Sequence, residues 1–196
     1  MSGWSKYYSG GVNPDLYIRH LYGQREFLTA IIADQPKKVL EVGAGTGIMS
    51  VFLSQMGVEV LTIDNDPIIL KQAQKIKEMF GGKNELMQGD AFSLNFPDNS
   101  QDIIFHQGLL EHFSDKQIHQ LLNEHLRIAP VVWFSVPNCF YPKCDLGNER
   151  LMSKSAWEKI LQLYKIEISH YYAKKIFPKW YLPRVPIQYM VKISRS

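Results

Sequence analysis

The stretch Lys38-Val39-Leu40-Glu41-Val42-Gly43-Ala44-Gly45-Thr46-Gly47-Ile48 decides the fold. Its first five residues are a short apolar run between Pro36 and Gly43, as in a strand buried on both faces of a parallel sheet. Glycines at alternate positions follow, and then a segment of helical period over 46–56. A glycine-rich turn from strand to helix lets the backbone approach a ligand and presents a helix N-terminus with unpaired N–H groups and partial positive charge. Many nucleotide folds share that device. Here Ile48 stands where the dinucleotide fingerprint wants its third glycine, and no Gly-Lys-Ser/Thr follows to make a phosphate loop.

Outward from this turn, short β-branched runs alternate with longer helical segments, the mark of βαβ units. A second strand fits 59–63, and in Asp64-Asn65-Asp66-Pro67 after it Asp66 suits an N-cap and Pro67 the first helical position. Ile69, Ala73, Ile76 and Phe80 form one apolar stripe that Gly81-Gly82 ends. Further strands fit 85–88, 102–106 and 131–136. Ser114 with Gln117 predicts a capping box ahead of Ile118, Leu121, Leu122 and Leu126, and Ser155 with Glu158 predicts another ahead of Ile160, Leu161 and Tyr164. Strand-like runs at 166–172 and 187–193 close the chain, and their Pro-rich connection is too short for a helical crossover, which implies an antiparallel hairpin. A leading helix over 14–34 carries Leu21, Leu28, Ile31 and Ile32. The expected fold class is α/β: a Rossmann-like, doubly wound, seven-stranded sheet, mostly parallel, with one antiparallel strand in the C-terminal hairpin.

With 196 residues, 45% of them hydrophobic and 12% aromatic, the chain can bury one sizeable core, so one domain over 1–196 is expected. The 22 Lys plus Arg against 19 Asp plus Glu are scattered without a basic block, which gives no case for nucleic acid. Cys139 and Cys144 are too few for a disulfide framework and point to a reducing compartment. No stretch approaches the roughly 20 apolar residues of a spanning helix, and residues 1–9 lack the apolar core of a secretion signal. A soluble, cytoplasmic monomer or homodimer is expected. The 6 histidines show no ligand spacing backed by cysteines or paired carboxylates, so no metal is expected.

In the order of its motifs the sequence resembles the class I S-adenosylmethionine-dependent methyltransferases, whose glycine turn has this spacing and an acid two residues before its first glycine, here Glu41. The resemblance covers roughly 37–138, and the family also has a closing hairpin. It implies S-adenosyl-L-methionine as cofactor and S-adenosyl-L-homocysteine as product, with Glu41, Gly43, Ala44, Gly45 and Gly47 at the methionine end. It implies Asp64, with Asn65, at the two ribose hydroxyls, where a carboxylate can accept two hydrogen bonds. Gly89-Asp90-Ala91-Phe92 resembles the adenine segment, which implies Asp90 at the adenine amino group and the Ala91 N–H at a ring nitrogen. His106 and Gln107 would face the methionine part. Within this reading the domain divides into a helical lid at 1–36, a cofactor-binding core at 37–138, and an acceptor loop with the hairpin at 139–196. Each acid also has a local alternative: Glu41 could pair with a cation, Asp64 could cap the next helix, and Asp90 could end a strand in a turn.

Glu111 and His112 are the candidate catalytic pair, at the carboxyl edge where open α/β sheets bind ligands, though they could only fix their loop. Methyl transfer depends on alignment, which supplies about 7–11 kcal/mol. A general base adds about 10²–10⁴-fold, so the lack of an obvious one is no argument against the activity. The expected acceptor is a small molecule methylated on O, N or C. Tyr7 and Tyr8, with Trp4 and Tyr17, could form an aromatic lid or simply pack on the domain. Asn138 opens a long loop, and Arg150 within it could hold an acceptor carboxylate or phosphate, or else pair with Glu149 or Asp145. The rival readings are a nucleic-acid or protein methyltransferase, a non-catalytic cofactor-binding domain, and an NAD-dependent oxidoreductase. Lys174, Lys175, Lys179, Arg184 and Lys192, interleaved with Phe177, Trp180 and Tyr181, favour nucleic acid. His106-Gln107-Gly108-Leu109, in place of the Asn/Asp-Pro-Pro-aromatic of amino-methylating relatives, opposes it.

Overall fold

The computed structural model describes residues 13–142, 146–175 and 185–195. Its strands are β1 (Lys38–Val42), β2 (Glu59–Asp64), β3 (Glu85–Gln88), β4 (Ile103–Gln107), β5 (Val131–Pro137), β6 (Lys165–Lys175) and β7 (Val185–Ser194). Its α-helices are α1 (Pro14–Ala33), α2 (Ile48–Gln55), α3 (Pro67–Phe80), α4 (Asp115–Ile128) and α5 (Lys154–Ile160). The strands form one sheet in the order β3-β2-β1-β4-β5-β7-β6. β7 runs antiparallel to both its neighbours and the other pairs are parallel, so the expected fold class holds. The order reverses between β1 and β4, and a crevice opens at the carboxyl ends of those strands.

Strand alternation sorts the core into two layers. Val39, Ile103, Phe105 and Trp133 meet Phe27, Leu28 and Ile31 of α1 and Met49 and Leu53 of α2. On the opposite face Leu40, Val42, Ile104 and Phe134 meet Ile118, Leu121, Leu122 and Leu126 of α4 and Trp157 of α5. Each fully buried side chain of this size stabilises the fold by roughly 1.5–3 kcal/mol.

The helix starts follow their local chemistry. Asn13 caps α1 by accepting from Leu16 N, Asp66 caps α3 by accepting from Ile68 N, and Gln117 Oε1 accepts from both the N–H and the hydroxyl of Ser114 at the start of α4. Three of the boundaries that differ from expectation have a plain local cause. Helix α2 begins only at Ile48, because Gly47 sits at φ +68°, in the left-handed region. A Cβ at Gly47 would lie 3.2 Å from that of Ala73. Helix α5 is capped by Ser153, whose hydroxyl accepts from Ala156 N; Ser155 does not cap it, and Glu158 takes the hydroxyl of Ser169. Strand β4 starts one residue late, since the Asp102 carboxylate accepts from Lys37 N and Lys38 N, and it runs on to Gln107.

Helix α1 is tied to the sheet at both ends of its buried stripe. Gln24 accepts from the Tyr172 hydroxyl on β6. Just beyond the helix, Asp34 accepts from Trp133 Nε1 at 2.8 Å and from Lys192 Nζ at 2.9 Å. Tyr17 stacks on Phe80 with ring centroids 3.9 Å apart, so it packs on the domain. Trp4, Tyr7 and Tyr8 lie outside the described residues, as do Phe177, Lys179, Trp180, Tyr181 and Arg184. Among the described residues no helix is long and apolar enough to cross a membrane.

Candidate functional site

Two cavities adjoin at the crevice. One, of about 420 Å³, has Asp64, Asn65, Asp90 and Ala91 along one side and Ile69, Phe92, Leu109 and Phe113 as apolar walls. The other, of about 260 Å³, is lined by His20, Gln24, Glu41, Ala44, Glu111, Tyr141 and Gln188 among others. Gly43, Gly45, Gln107, Gly108 and His112 line both.

The glycine turn forms the floor between them. Gly43 is at φ +77°, and a Cβ there would stand 3.3 Å from Leu109. The turn does not present the N–H donors that its sequence led us to expect. The N–H groups of Gly43 and Ala44 both donate to Ile63 O, at 2.8 and 3.0 Å, and that of Gly47 donates to Ala44 O at 2.7 Å. Gly45 N–H bonds the Asp64 carboxylate. A phosphate seated here would find these four donors taken and the Glu41 carboxyl beside the turn.

Glu41 lies on the β1 face toward α2, 3% exposed, and its Oε2 accepts from the Ser50 hydroxyl. Burial pushes its pKa up to about 8, against the lowering effect of the Ser50 bonds, with the charge of Asp64 adding to the rise. Burial also raises the Asp64 carboxyl above the ordinary range, opposed by bonds from the N–H groups of Asp66, Gly45 and Asn65. Those N–H groups orient Asp64 at the edge of the larger cavity. Asp90 is exposed at the far side of that cavity, with Oδ1 accepting from Phe92 N at 3.0 Å. Ala91 is fixed from behind, because its carbonyl accepts from Nε2 of the fully buried His125 at 3.2 Å.

Glu111 and His112 sit on a single 3₁₀ turn, Leu110–His112, between β4 and α4. Glu111 is 2% exposed, and burial raises its pKa to about 8, with the charge of Glu149 adding to the rise. Its Oε2 has no hydrogen-bond partner, and its Oε1 stands 3.9 Å from His112 Nε2. His112 Nδ1 lies 2.8 Å from Asn148 Oδ1.

Three expected site residues lie elsewhere. The β4 pleat turns His106 away from the crevice, so its imidazole stacks on Phe134 at 5.7 Å between centroids and lines neither cavity, while the next residue, Gln107, lines both. Asn138 is fully buried and clamps the hairpin: its Nδ2 donates to Pro186 O and Gln188 O and its Oδ1 accepts from Phe140 N. Arg150 lines neither cavity and binds Phe113 O and Asp115, pinning its loop to the start of α4; Asp145 lies outside the described residues. Sequence reasoning missed Gln24, Tyr141, Gln188 and His125. Gln24 shares the stripe of Leu21, Leu28 and Ile31, and His125 that of Ile118, Leu121 and Leu122, and a polar residue on a buried stripe is the signal that could have found them.

The strand order places acids after β2 and β3 around a glycine turn whose N–H groups are turned inward. Residues 39–129, a little under half of the chain, match the family model described as a methyltransferase domain. Phosphoethanolamine N-methyltransferase 3 of Arabidopsis thaliana is 30% identical over 113 residues, which covers 55% of this chain and 22% of that one. The chain therefore spans less than a quarter of that relative's length. Among solved structures, the PH0226 protein of Pyrococcus horikoshii superposes with a TM-score of 0.73 at 18% identity, covering 94% of this chain and 93% of that one. Magnesium protoporphyrin IX methyltransferase of Synechocystis, solved with bound S-adenosylhomocysteine, gives a TM-score of 0.69 at 18% identity, covering 99% and 93%.

Proposed function

We propose that this chain transfers a methyl group from S-adenosyl-L-methionine to a small molecule held in the 260 Å³ cavity. The observation that carries this reading is the pair of cavities meeting at Gly43, Gly45, Gln107, Gly108 and His112, one suited to an adenosine and the other to a second reactant. The residues fit the cofactor. Asp64 is oriented to accept from a diol, Asp90 and Ala91 stand beside a slot with Phe92 and Phe113 for a planar base, and Glu41 can hold a cationic amino acid end. The inward-turned N–H groups and the nearby carboxyl favour this cation over the pyrophosphate of a nicotinamide cofactor.

When bound, S-adenosylmethionine supplies a methyl group on a sulfonium, open to in-line displacement. The protein's share is alignment and proton handling. Gln107 and the Gly43–Gly45 backbone wall the junction, and the buried Glu111 and His112 stand there to take a proton from the acceptor. The concave shape of the cavity supports a small acceptor, and two of the similar proteins bear the names of small-molecule methyltransferases, while others are named protein-L-isoaspartate O-methyltransferases. Calorimetry with S-adenosylhomocysteine and with NAD at equal concentration tests the reading: binding of S-adenosylhomocysteine is expected, and tight binding of NAD alone would overturn it.

A further inference from the structure

The 260 Å³ cavity has an uneven charge lining. Past the glycine turn its described walls carry three carboxyl groups, those of Glu41, Glu111 and Glu149, and no lysine or arginine among the described residues. Arg150, the guanidinium nearest in sequence, is held outside by Phe113 O and Asp115. Glu41 belongs to the cofactor end, beside Ser50 and the turn. Glu111 and Glu149 belong to the other end, with Tyr141. Glu149 is fixed by the N–H groups of Leu146 and Gly147, at 2.6 and 3.0 Å, which hold its carboxyl below the ordinary range and so ionised. Glu111 is different in kind. It is almost fully buried in the cavity wall, and its Oε2 meets no donor. A buried polar atom without a partner costs about 1–3 kcal/mol, and a ligand that supplies the partner recovers it.

We propose that this end of the cavity binds the acceptor through a small amine, entering as its ammonium, with Glu111 Oε2 as its principal hydrogen-bond acceptor and Glu149 as a second negative group; the inference rests on the methyltransferase reading above. An ammonium brings both donors and positive charge to a wall that offers acceptors and negative charge. A carboxylate or phosphate would meet like charge with no lysine or arginine among the described lining residues to offset it and only the imidazoles of His20 and His112 beside the carboxyls, in a medium where water screens little. An ammonium beside Glu111 favours the ionised carboxyl, so the Glu111 proton leaves to solvent on binding. The carboxylate can then take one N–H proton from the ammonium, leaving the amine neutral with its lone pair exposed.

The experiment uses the whole chain with S-adenosylhomocysteine bound, that binding being measured first by calorimetry. Thermal melting is then followed with methylammonium chloride, sodium acetate and sodium chloride at matched ionic strength. Methylammonium at about ten times its dissociation constant is expected to raise the melting temperature by about 3 °C or more over sodium chloride. Acetate should give no rise. Glu111→Gln should bind S-adenosylhomocysteine and lose the methylammonium shift, and Glu149→Gln should reduce it. Equal melting in methylammonium and sodium chloride, stabilisation by acetate, or an undiminished shift in Glu111→Gln would each overturn the proposal while leaving the methyltransferase reading intact. Failure to bind S-adenosylhomocysteine would instead remove the reading on which it rests.

Discussion

Asn148 Oδ1 lies 2.8 Å from Nδ1 of His112, so the acceptor loop sets the tautomer of a histidine that borders both cavities. An amide oxygen can only accept, which places the ring proton on Nδ1 and leaves Nε2 as the basic nitrogen. In water the other tautomer is the commoner one. Nitrogen-15 spectra of histidine-labelled protein should therefore show His112 with a proton on Nδ1, and Asn148→Ala should move it to Nε2. An identical His112 signal pattern in both proteins would end this assignment.

Asp64 should contribute to ligand binding rather than to folding. Its carboxyl is oriented by backbone N–H groups at the cavity edge, and Asp66 already serves as the cap of α3. Asp64→Ala is expected to weaken S-adenosylhomocysteine binding at least about tenfold, the loss of one or two charge-assisted hydrogen bonds. Its melting temperature without ligand should stay close to that of the parent. Unchanged affinity would take Asp64 out of the site.

Glu41 links cofactor binding to pH. Burial holds its carboxyl up to about 8, so it is largely protonated at pH 6, whereas the amino group it would meet is cationic and favours the carboxylate. Binding should then release a proton. Affinity for S-adenosylhomocysteine is expected to rise between pH 6 and 8, by at most about tenfold per unit. Glu41→Gln should flatten that profile, and a parent profile already flat over this window would contradict the linkage.

Two buried imidazoles make the fold sensitive to acid. Burial lowers the His125 pKa to about 4 and that of His106 well below its ordinary value, with the charge of His125 adding to the drop at His106. The unfolded chain takes up protons below about pH 6.5 while the folded one does not. Stability from this source is therefore intact above that pH and is lost as pH falls toward 4. Glu111 and Glu41 act in the opposite sense, because the folded chain keeps up to about pH 8 protons that the unfolded chain sheds above about 4.5. His106→Phe, which keeps the stack on Phe134, should shrink the difference in melting temperature between pH 7 and pH 5 by about 2 °C or more. A difference as large as in the parent would show that His106 is not one of the responsible groups.

Gly47 holds the start of α2 in a left-handed conformation, with Ala73 against it. Gly47→Ala should cost about 1–2 kcal/mol in chemical denaturation. Stability equal to that of the parent would mean that the turn relaxes without loss.

What the sequence made legible is what local chemistry determines. The Lys38 to Val42 run, the Asp66-Pro67 start of α3 and the Ser114–Gln117 box each depend on neighbours a few residues away, and the structure places them as expected. Ser155 fits the capping-box pattern because Glu158 stands three residues on, but Glu158 takes the hydroxyl of Ser169 and Ser153 caps the helix without such a partner. His106 was counted with Gln107 because neighbouring residues on a strand share a motif while pointing to opposite faces. The far wall of the smaller cavity was not legible. Gln24 and Gln188 meet there through Tyr172 and Ser135, a chain of contacts between segments far apart in sequence.

That last connection divides the molecule by how freely it could change. The recognisable methyltransferase segment, 39–129, holds the turn and the acids of the larger cavity, whereas Gln24, Tyr141, Glu149 and Gln188 of the smaller one fall before or after it. Helix α1 and the hairpin clasp each other across 148 positions at Gln24 and Tyr172, and again where Asp34 meets Trp133 and Lys192. On the proposed reading, substitutions in these outer segments would reshape what is methylated while the donor side between them stays as it is. A search for this protein's acceptor is therefore best guided by relatives that share its two ends, since a shared centre identifies only the methyl donor.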